Sequence, residues 1–527
     1  MILVQSVNDP FHARRRYRTV PLITFLHHVL GISLLVKFRR TVLYIVTDMA
    51  WPNPFRRRTE NTRTYWGYTF DLTSDHLTSE QAHPLKYSYD TLGEDCLNIL
   101  NEISPPGLPA KAAEHTKNDS ERSDPDTANQ KEPTTKKKRD LYILLSENVD
   151  KHPKLRQLWD EVTNVPAWVD WAQIERGQDV FYRYGSATLT GLAYQSLLGG
   201  MGANRVVEVL ARTGGFSVEK ARHRLFETTQ HILQCTKSLE SIRPGGEGFA
   251  SSLRVRLLHA AVRHRIMKLA QSRPDYYSVE KYGIPINDLD CIATIGTFSG
   301  TIIWLSLPRQ GIWLREQEIL DYIALWRLIA HYTGTPTEWF ETPEKAKAMM
   351  ESLLMNEIDP SDTSRILAAN VIRCLEAKPP AYASRSFLEV NARWLNGNDL
   401  CDALGLGRPP LYYWLLTAGQ CLFFMAICYS HRSIPWLDKK QIKGLKRIFW
   451  AVIVEGKYGL GQETVFDFKY IPDYHVTTEK GTDEQAGLAE HGIERRSLQT
   501  LLVAAGCLGC MGYVGIKVGV GLLKRLF

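Results

Sequence analysis

The chain has 527 residues, of which 44% are hydrophobic and 23% charged; this is typical of a folded protein and leaves room for one large domain with extensions. The net charge of +7 is small for this length, and the excess lies near the termini and in one linker, which argues against a nucleic-acid partner. The nine cysteines are scattered, without the paired spacing of a zinc site, which favours a reducing compartment.

An apolar segment near the N-terminus is the first predicted element. Residues 20–36, VPLITFLHHVLGISLLV, lie within a basic stretch, 1–50, and follow four arginines. The segment is short and contains two histidines, so an interfacial anchor and a spanning helix are both open interpretations. No small-residue cleavage site follows it, so we do not expect a removed signal peptide.

Two polar stretches divide the rest of the chain. Residues 104–139 are rich in Pro, Lys, Asp and Ser and nearly free of large apolar side chains, so they predict a disordered linker after an N-terminal extension, 51–103. A second polar linker, 476–496, follows the main domain. The chain is therefore expected to hold one large folded part, 141–475, between extensions.

That large part, 141–475, shows helical periodicity almost throughout. LTGLAYQSLLGGMGANRVVEVLARTGG predicts two helices with a glycine-rich join, and the next helix begins after Ser217 as N-cap. EQEILDYIALWRLIAHYTGTP predicts a further helix that stops at Gly334. No convincing run of alternating strands occurs, so the predicted fold class is all-α, a multi-helix domain with membrane-associated terminal helices.

Within this part, residues 251–270, SSLRVRLLHAAVRHRIMKLA, predict a helix with seven basic or imidazole side chains and no acidic one. At about 100° per residue, Arg256, His259 and Arg263 fall together on one face, and other basic residues point roughly the opposite way. If the triplet faces inward, it needs a buried anion, an acidic partner or a metal. The acidic candidates on neighbouring segments are Glu208, Glu227, Glu240 and Glu247.

The C-terminal residues 497–523 predict a transmembrane helix. Residues 498–516 are uncharged and lie between basic residues, and nineteen such residues just span the hydrocarbon of a bilayer. A stripe of glycines at every third position suits close helix packing in lipid, and so self-association: Gly506, Gly509, Gly512 and Gly515. The alternative is a glycine-rich helix that lies on the body of the protein.

Motifs of the commonest enzymes are missing from the sequence. It contains no Walker A loop, no GxGxxG after a strand, no GxSxG and no HExxH, which argues against nucleotide-binding, hydrolase and zinc-protease sites. The remaining candidates are inward His and Arg side chains on helices. His259 lies next to Ala260, whose small side chain leaves room for a flat macrocycle.

An ordered set of motifs over residues 165–340 carries a family resemblance. The set includes VPAWVDWAQIERGQDVFYRY, ARTGGFS, RPGGEGFASSLRVRLLHAAVRHRI, YGIPINDLD and LDYIALWRLIAHYTGTP. It resembles the ER-bound oxygenases of the mycophenolic-acid (MpaB) type, which share a catalytic domain with bacterial rubber oxygenases (latex clearing proteins). The core RVRLLHAAVR is the most specific of these motifs.

The resemblance implies a globin-like helical core, a b-type haem and O2-dependent cleavage of a C=C bond in an isoprenoid chain. Fungal members are membrane-bound and act in secondary metabolism, so a membrane location, in the endoplasmic reticulum, and a hydrophobic substrate are also implied. Arg256 and Arg263 match the motif and are expected beside the cofactor or its oxygen. We add Glu247, in the loop before this helix, as a candidate acid/base group.

The metal ligand is open between His259 and His331. The resemblance implies an axial His on the helix after the basic one, but none occurs between His264 and His331. Arg327 shares a helical face with His331 at i and i+4 and is a further cofactor-binding candidate, although an amphipathic helix edge is the simpler interpretation of that pair.

The sequence thus predicts a membrane-anchored oxygenase that uses O2 and haem b on a hydrophobic small molecule, with membrane lipid as a second partner. The alternative is a catalytically silent helical scaffold or lipid-binding protein of the same family. The missing downstream His favours the alternative, and the retained Arg256, His259 and Arg263 favour the enzyme. A non-haem metal enzyme ranks last, because no two-His-plus-carboxylate spacing is visible.

Overall fold

A computed structural model describes residues 58–106, 139–379 and 381–466, with single residues between 499 and 517. The predicted N-terminal segment, most of the linker 104–139, the polar linker 476–496 and nearly all of the predicted C-terminal helix lie outside the described residues. The described residues before 467, apart from 313–316, belong to one compact unit, which we call the body.

The body is helical apart from one β-hairpin in its described residues, which confirms the all-α prediction. The hairpin pairs β1 (Thr62–Tyr65) with β2 (Tyr68–Asp71) in antiparallel register. The α-helices in chain order are α1 (Ser79–Ala82), α2 (Thr91–Ile103), α3 (Leu141–Asn148), α4 (Pro153–Thr163), α5 (Trp171–Arg183), α6 (Gly185–Thr190), α7 (Asn204–Arg212), α8 (Val218–Thr236), α9 (Leu239–Ile242), α10 (Glu247–Ser272), α11 (Val279–Tyr282), α12 (Asp288–Phe298), α13 (Leu307–Arg309), α14 (Glu316–Tyr332), α15 (Pro343–Asn356), α16 (Asp362–Leu375), α17 (Arg385–Asn396), α18 (Asn398–Ala403), α19 (Leu411–Arg432) and α20 (Pro435–Trp450).

Several predicted helix boundaries are confirmed. The basic helix is α10, and it begins directly after a loop in which Gly245 has φ +89°. Helix α8 begins after its N-cap Ser217, and α14 ends two residues before Gly334, which has φ +71°. Glycine adopts these positive φ values without a steric penalty, which is why it is found just before α10 and just after α14.

The N-terminal extension is part of the body. Helix α2 packs against α10 and α4, and it buries Cys96, Leu97 and Leu100. On the hairpin side, the Tyr68 hydroxyl donates to Glu351 of α15 at 2.9 Å. Residues on both sides of the predicted linker therefore share one core.

Three π-helical segments lie within the described body; one of them, Ala451–Glu455, follows α20, and the other two contact each other. Of these two, Gly191–Gly199 follows α6, and Ile302–Ser306 precedes α13. A Cβ on Gly191 would lie 2.7 Å from the Ser306 Cβ, so glycine permits this approach. π-Helical turns inside α-helices are rare and often occur at functional sites.

The last two helices, α19 and α20, form a hairpin joined at residues 433–434, and a buried network fixes it to the body. Arg183 of α5 binds Asp438 of α20 at 2.8 Å, and Arg432 of α19 donates to the Tyr184 hydroxyl at 2.9 Å. That hydroxyl in turn donates to Glu318 of α14 at 2.7 Å. Four helices therefore meet at one set of charged groups.

Helix α19 also has the composition of a membrane helix. Among the described residues it is the single helix long and apolar enough to cross a bilayer by itself. Helix α12 and the segment Ile302–Arg309 meet the same criterion as a pair that is bent by 40°. The sequence analysis singled out neither of these.

Candidate functional site

His259 lies on α10, one turn after Arg256, and it is deep in the body. Burial, and then the positive charge of Arg263, lowers the pKa of His259 to about 4, so its ring is neutral near pH 7. Within the described part of the chain, neither ring nitrogen has a hydrogen-bond partner. The side chain nevertheless keeps some accessible surface. Because the ring keeps accessible surface and has no partner within the described chain, its nitrogens are open to a ligand.

A second buried histidine, His231 of α8, lies close enough to interact with His259. Burial, and then His259, lowers the pKa of His231 to about 4. In contrast to His259, its Nδ1 is 2.9 Å from the Ser251 hydroxyl and 3.8 Å from the Cys235 thiol. Sequence reasoning missed this residue; the spacing of His231 and Cys235 at i and i+4 on one predicted helix was the available signal.

Cys291 and Tyr194 are two further polar residues of the body that are only partly buried. Cys291 of α12 keeps accessible surface, yet burial raises the pKa of its thiol to about 12, and Arg263 opposes that shift. Arg263 is therefore close enough to interact with both His259 and Cys291. Burial also raises the pKa of Tyr194, in the π-helical segment that packs on α12, and its phenol has no partner in the described chain. His259, Cys291 and Tyr194 are therefore mostly buried but keep some accessible surface.

Arg256 is fully paired. It binds the Asp90 carboxylate through two hydrogen bonds, of 2.7 and 2.8 Å, and Glu161 of α4 at 2.9 Å. Gly334 lies against this pair, since a Cβ there would be 2.6 Å from the Arg256 Nε. Since Asp90 is also the N-cap of α2, Arg256 fixes α10 to both α2 and α4.

Arg263 is less completely satisfied. It donates to the Ile286 carbonyl at 2.9 Å, lies over the Tyr89 ring at 4.6 Å from the centroid, and approaches Glu94 only at 3.5 Å. Its buried Nε has no partner in the described residues. It therefore retains one inward donor beside His259.

The four glutamates that were considered as partners of the two arginines do not fill that role. Glu208 binds Arg212 at 2.6 Å, and Glu227 binds Arg224 at 3.0 Å. The acidic partners of Arg256 and Arg263 come instead from α4, α2 and the residue that caps α2.

Glu247 also differs from the expectation. It is exposed in the first turn of α10 and binds Lys237 at 2.7 Å. Twelve residues separate it from His259, which is about 18 Å along a helix. The structure does not bring it to His259.

His331 and Arg327 lie on α14 with partners of their own. The His331 Nε2 is 3.2 Å from the Glu161 carbonyl, at a surface cleft of ≈ 420 Å³ that Arg256 and Asp288 also line. Arg327 lies 4.2 Å from the Trp168 ring centroid and binds Glu341 at 3.2 Å. No group of three His, Cys, Asp or Glu side chains among the described residues could hold a metal ion. His331 lines this surface cleft and His259 does not.

Comparisons with known proteins fit this helical architecture. Residues 182–421 match the family described as ER-bound oxygenase mpaB/B'/Rubber oxygenase, catalytic domain, and α10 lies inside the match. A "Rubber oxygenase" of Streptomyces sp. (strain K30) is 22% identical over 294 residues, which are 53% of this chain and 67% of that protein. A solved structure of latex clearing protein LCP in the closed state superposes with a TM-score of 0.48 at 17% identity, over 71% of this chain and 93% of that one.

The chain is thus an all-α oxidoreductase of the oxygenase class. Through residues 182–421 it belongs to the ER-bound oxygenase mpaB/B' and rubber oxygenase family. The resemblance carried by the RVRLLHAAVR motif is confirmed.

Proposed function

We propose that this protein is a membrane-anchored, haem-dependent oxygenase that uses O2 to cleave or oxygenate a C=C bond in a hydrophobic molecule. One observation carries the proposal: His259 is neutral and without a hydrogen-bond partner in the described chain, inside the residues 182–421 that match the family. An unpartnered neutral imidazole is what an iron ligand requires, because a protonated ring cannot bind a metal.

The residues around His259 fit a haem of the b type. His259 would hold the iron through a ring nitrogen, and the unpartnered Nε of Arg263 would be a donor for a propionate. Arg256 is already paired with two carboxylates, so its role is to hold α10 in place. Both arginines bind residues at the start of α2, and burial, together with the charge of Arg263, lowers the pKa of His259 and keeps its ring neutral.

When bound, a haem would supply the activation of dioxygen. The chain's own residues would exclude water and position the substrate. The Cys291 thiol is close enough to Arg263 to interact with it, and burial raises its pKa, so it is protonated at pH 7. Cleavage of one C=C bond by one O2 gives two carbonyl groups and consumes both oxygen atoms.

The similarity to the family supports the proposed substrate class and location. Rubber is an isoprenoid polymer, and the related protein from Streptomyces is a rubber oxygenase. The family description contains the term ER-bound. We therefore propose an isoprenoid-like or secondary-metabolite substrate that partitions into the membrane of the endoplasmic reticulum, where an anchored enzyme meets it directly.

The test is the absorption spectrum of the full chain, purified in mild detergent after expression with a haem precursor, combined with a pyridine haemochrome assay. We expect a Soret band in the parent protein and its loss in His259→Gly. His331→Gly is the matched control and should keep the band, because the His331 ring has its own contact and lines a cleft that His259 does not line.

Rescue separates ligation from folding. Adding imidazole to His259→Gly should restore a Soret band if the imidazole refills the vacated ligand position. A folded, monodisperse and colourless parent protein would overturn the haem proposal. Loss of the band in His331→Gly, but not in His259→Gly, would assign the other histidine as ligand.

A further inference from the structure

We infer that the outer face of the α19–α20 hairpin is a membrane-docking surface that lies flat on a bilayer containing anionic lipid. This inference goes beyond the proposed oxygenase chemistry and does not depend on the cofactor. It rests on three properties of the hairpin: an exposed apolar stripe, a second face that is fixed to the body, and unpaired basic side chains.

The exposed stripe runs along α19. Leu411, Leu415 and Leu422 are 70%, 64% and 64% exposed, and Ala426 continues the same line toward the end of the helix. Their spacing of i, i+4, i+11 and i+15 places them on one face. No charged residue occurs between Leu411 and Ser430. Water is an unfavourable environment for such a continuous leucine face.

The opposite face of α19 is fixed to the body along its length. Tyr413 and Leu416 are buried near its start, Thr417 contacts the Asn391 amide at 3.3 Å, and Cys421 and Cys428 are buried further along the helix. A helix that is packed along one side cannot be surrounded by lipid. It therefore lies in the interface and exposes only its outer stripe to lipid.

Helix α20, which packs against α19, carries exposed basic side chains. Trp436, Lys440, Lys443 and Arg447 follow one another at i, i+4, i+7 and i+11, and all four are exposed. Within the described chain none of these three basic groups has an ion-pair partner; Lys440 lies over the Trp436 ring at 5.9 Å from its centroid. An exposed tryptophan among lysines is the composition of a membrane interface.

The charge of the hairpin selects the occupant. Its single acidic residue, Asp438, is bound to Arg183, so the outer face is positive. A second copy of the same face would bring like charges together. The apolar N-terminal and C-terminal segments are themselves flanked by arginine and lysine, so they would be repelled as well. Anionic lipid headgroups above an apolar interior match both parts of the surface.

Photocrosslinking of the full chain tests this surface even when terminal segments also hold the protein at the membrane. A benzophenone amino acid replaces Leu415 or Leu422, and the control position is Leu320 of α14, a leucine that is 42% exposed elsewhere on the body. The protein is reconstituted in phosphatidylcholine vesicles with or without phosphatidylserine and irradiated. We expect lipid adducts at Leu415 and Leu422 and none at Leu320.

The basic face is tested in the same vesicles. Phosphatidylserine should increase the yield of lipid adducts in the parent protein, and the triple variant Lys440→Gln, Lys443→Gln, Arg447→Gln should lose this increase. We expect each neutralised basic side chain to reduce the increase about fivefold. Lys268→Gln with Lys378→Gln, on other exposed surfaces, is the control and should leave the increase unchanged.

Other crosslinks would overturn the inference. A dimer crosslinked at Leu422 would assign the face to a second copy, and a crosslink within the chain would assign it to a terminal segment. Equal lipid adducts at all three positions would show that the hairpin has no preferred contact with the bilayer. These readouts need no haem, so they are independent of the spectrum that tests the oxygenase proposal.

Discussion

Arg256 and His259 lie one turn apart on the same helix and are both deep in the body, but their surroundings differ. The Arg256 guanidinium meets two carboxylates in close hydrogen bonds. The His259 ring meets no hydrogen-bonding group among the residues that the structure describes. Depth alone therefore does not separate structural from functional polar groups on α10; the presence or absence of partners does.

Removing a carboxylate that binds Arg256 should change stability more than any other substitution considered below. Asp90→Ala leaves the Arg256 charge buried with only Glu161 beside it, and we expect the free energy of unfolding to fall by about 3–5 kcal/mol. Urea unfolding followed by circular dichroism measures the change. Asp362→Ala, which removes an exposed partner of Arg365, is the control and should leave the transition where it is.

A small effect of Asp90→Ala would contradict the view that the Arg256 ion pairs are important for stability. It would mean that Arg256 finds another anion or reaches water, and the fully paired state would not be what stabilises α10 against α2 and α4.

The stability of the protein at acid pH tests the two buried histidines, His231 and His259. The pKa values of His231 and His259 in the folded protein, about 4, lie below the ordinary value of 6.5. As the pH falls below 6.5 the unfolded chain takes up these protons first, so stability is lost down to about pH 4, at about 3 kcal/mol for each ring. Asp290 acts in the opposite direction, because burial raises its pKa to about 6 and protonation then favours the folded state.

His231→Asn isolates one ring, since the amide can still bond to the Ser251 hydroxyl. We expect the loss of stability between pH 6.5 and 4 to shrink by about 3 kcal/mol relative to the parent protein. The measurement is urea unfolding at a series of pH values. A variant with the parent's pH profile would show that His231 titrates normally in the folded state.

Two buried tyrosines, Tyr184 and Tyr332, differ in the same way, and a smaller change in stability is expected from them. The buried Tyr184 hydroxyl joins Glu318 and Arg432, and Tyr184→Phe should lower the free energy of unfolding by about 1.5–3 kcal/mol, because both groups are charged. The buried Tyr332 hydroxyl has no partner in the described residues, so Tyr332→Phe should be neutral or stabilising. Equal losses in the two variants, measured by denaturant unfolding, would contradict the distinction.

Sequence predicted the helices and their ends well, because periodicity and glycine stops are local signals. It predicted α10, the stop at Gly334 and the grouping of Arg256, His259 and Arg263. The acidic partners could not be predicted, since Asp90 and Glu161 are 166 and 95 residues from Arg256 along the chain. Pairing over such distances depends on how the helices pack.

The same limit applies to the hairpin and to the π-helical segments. The uncharged run of α19 has the composition of a buried core helix, and periodicity cannot show that nothing in the described chain covers its outer leucines. The segment Gly191–Gly199 looks helical in sequence, but its π-helical hydrogen bonding depends on its close contact with Ile302–Ser306. Tertiary contacts decide both features.

The position of α2 has a consequence for how the chain can be divided. Asp90 lies before residues 107–138, whereas its partner Arg256 lies far behind them. A protease cut between 107 and 138 would break no contact within the described residues, and the two pieces should remain associated through α2, α4 and α10. A recombinant fragment limited to 182–421 would instead lack both carboxylates that bind Arg256. The family match marks shared ancestry, and the autonomous folding unit is larger.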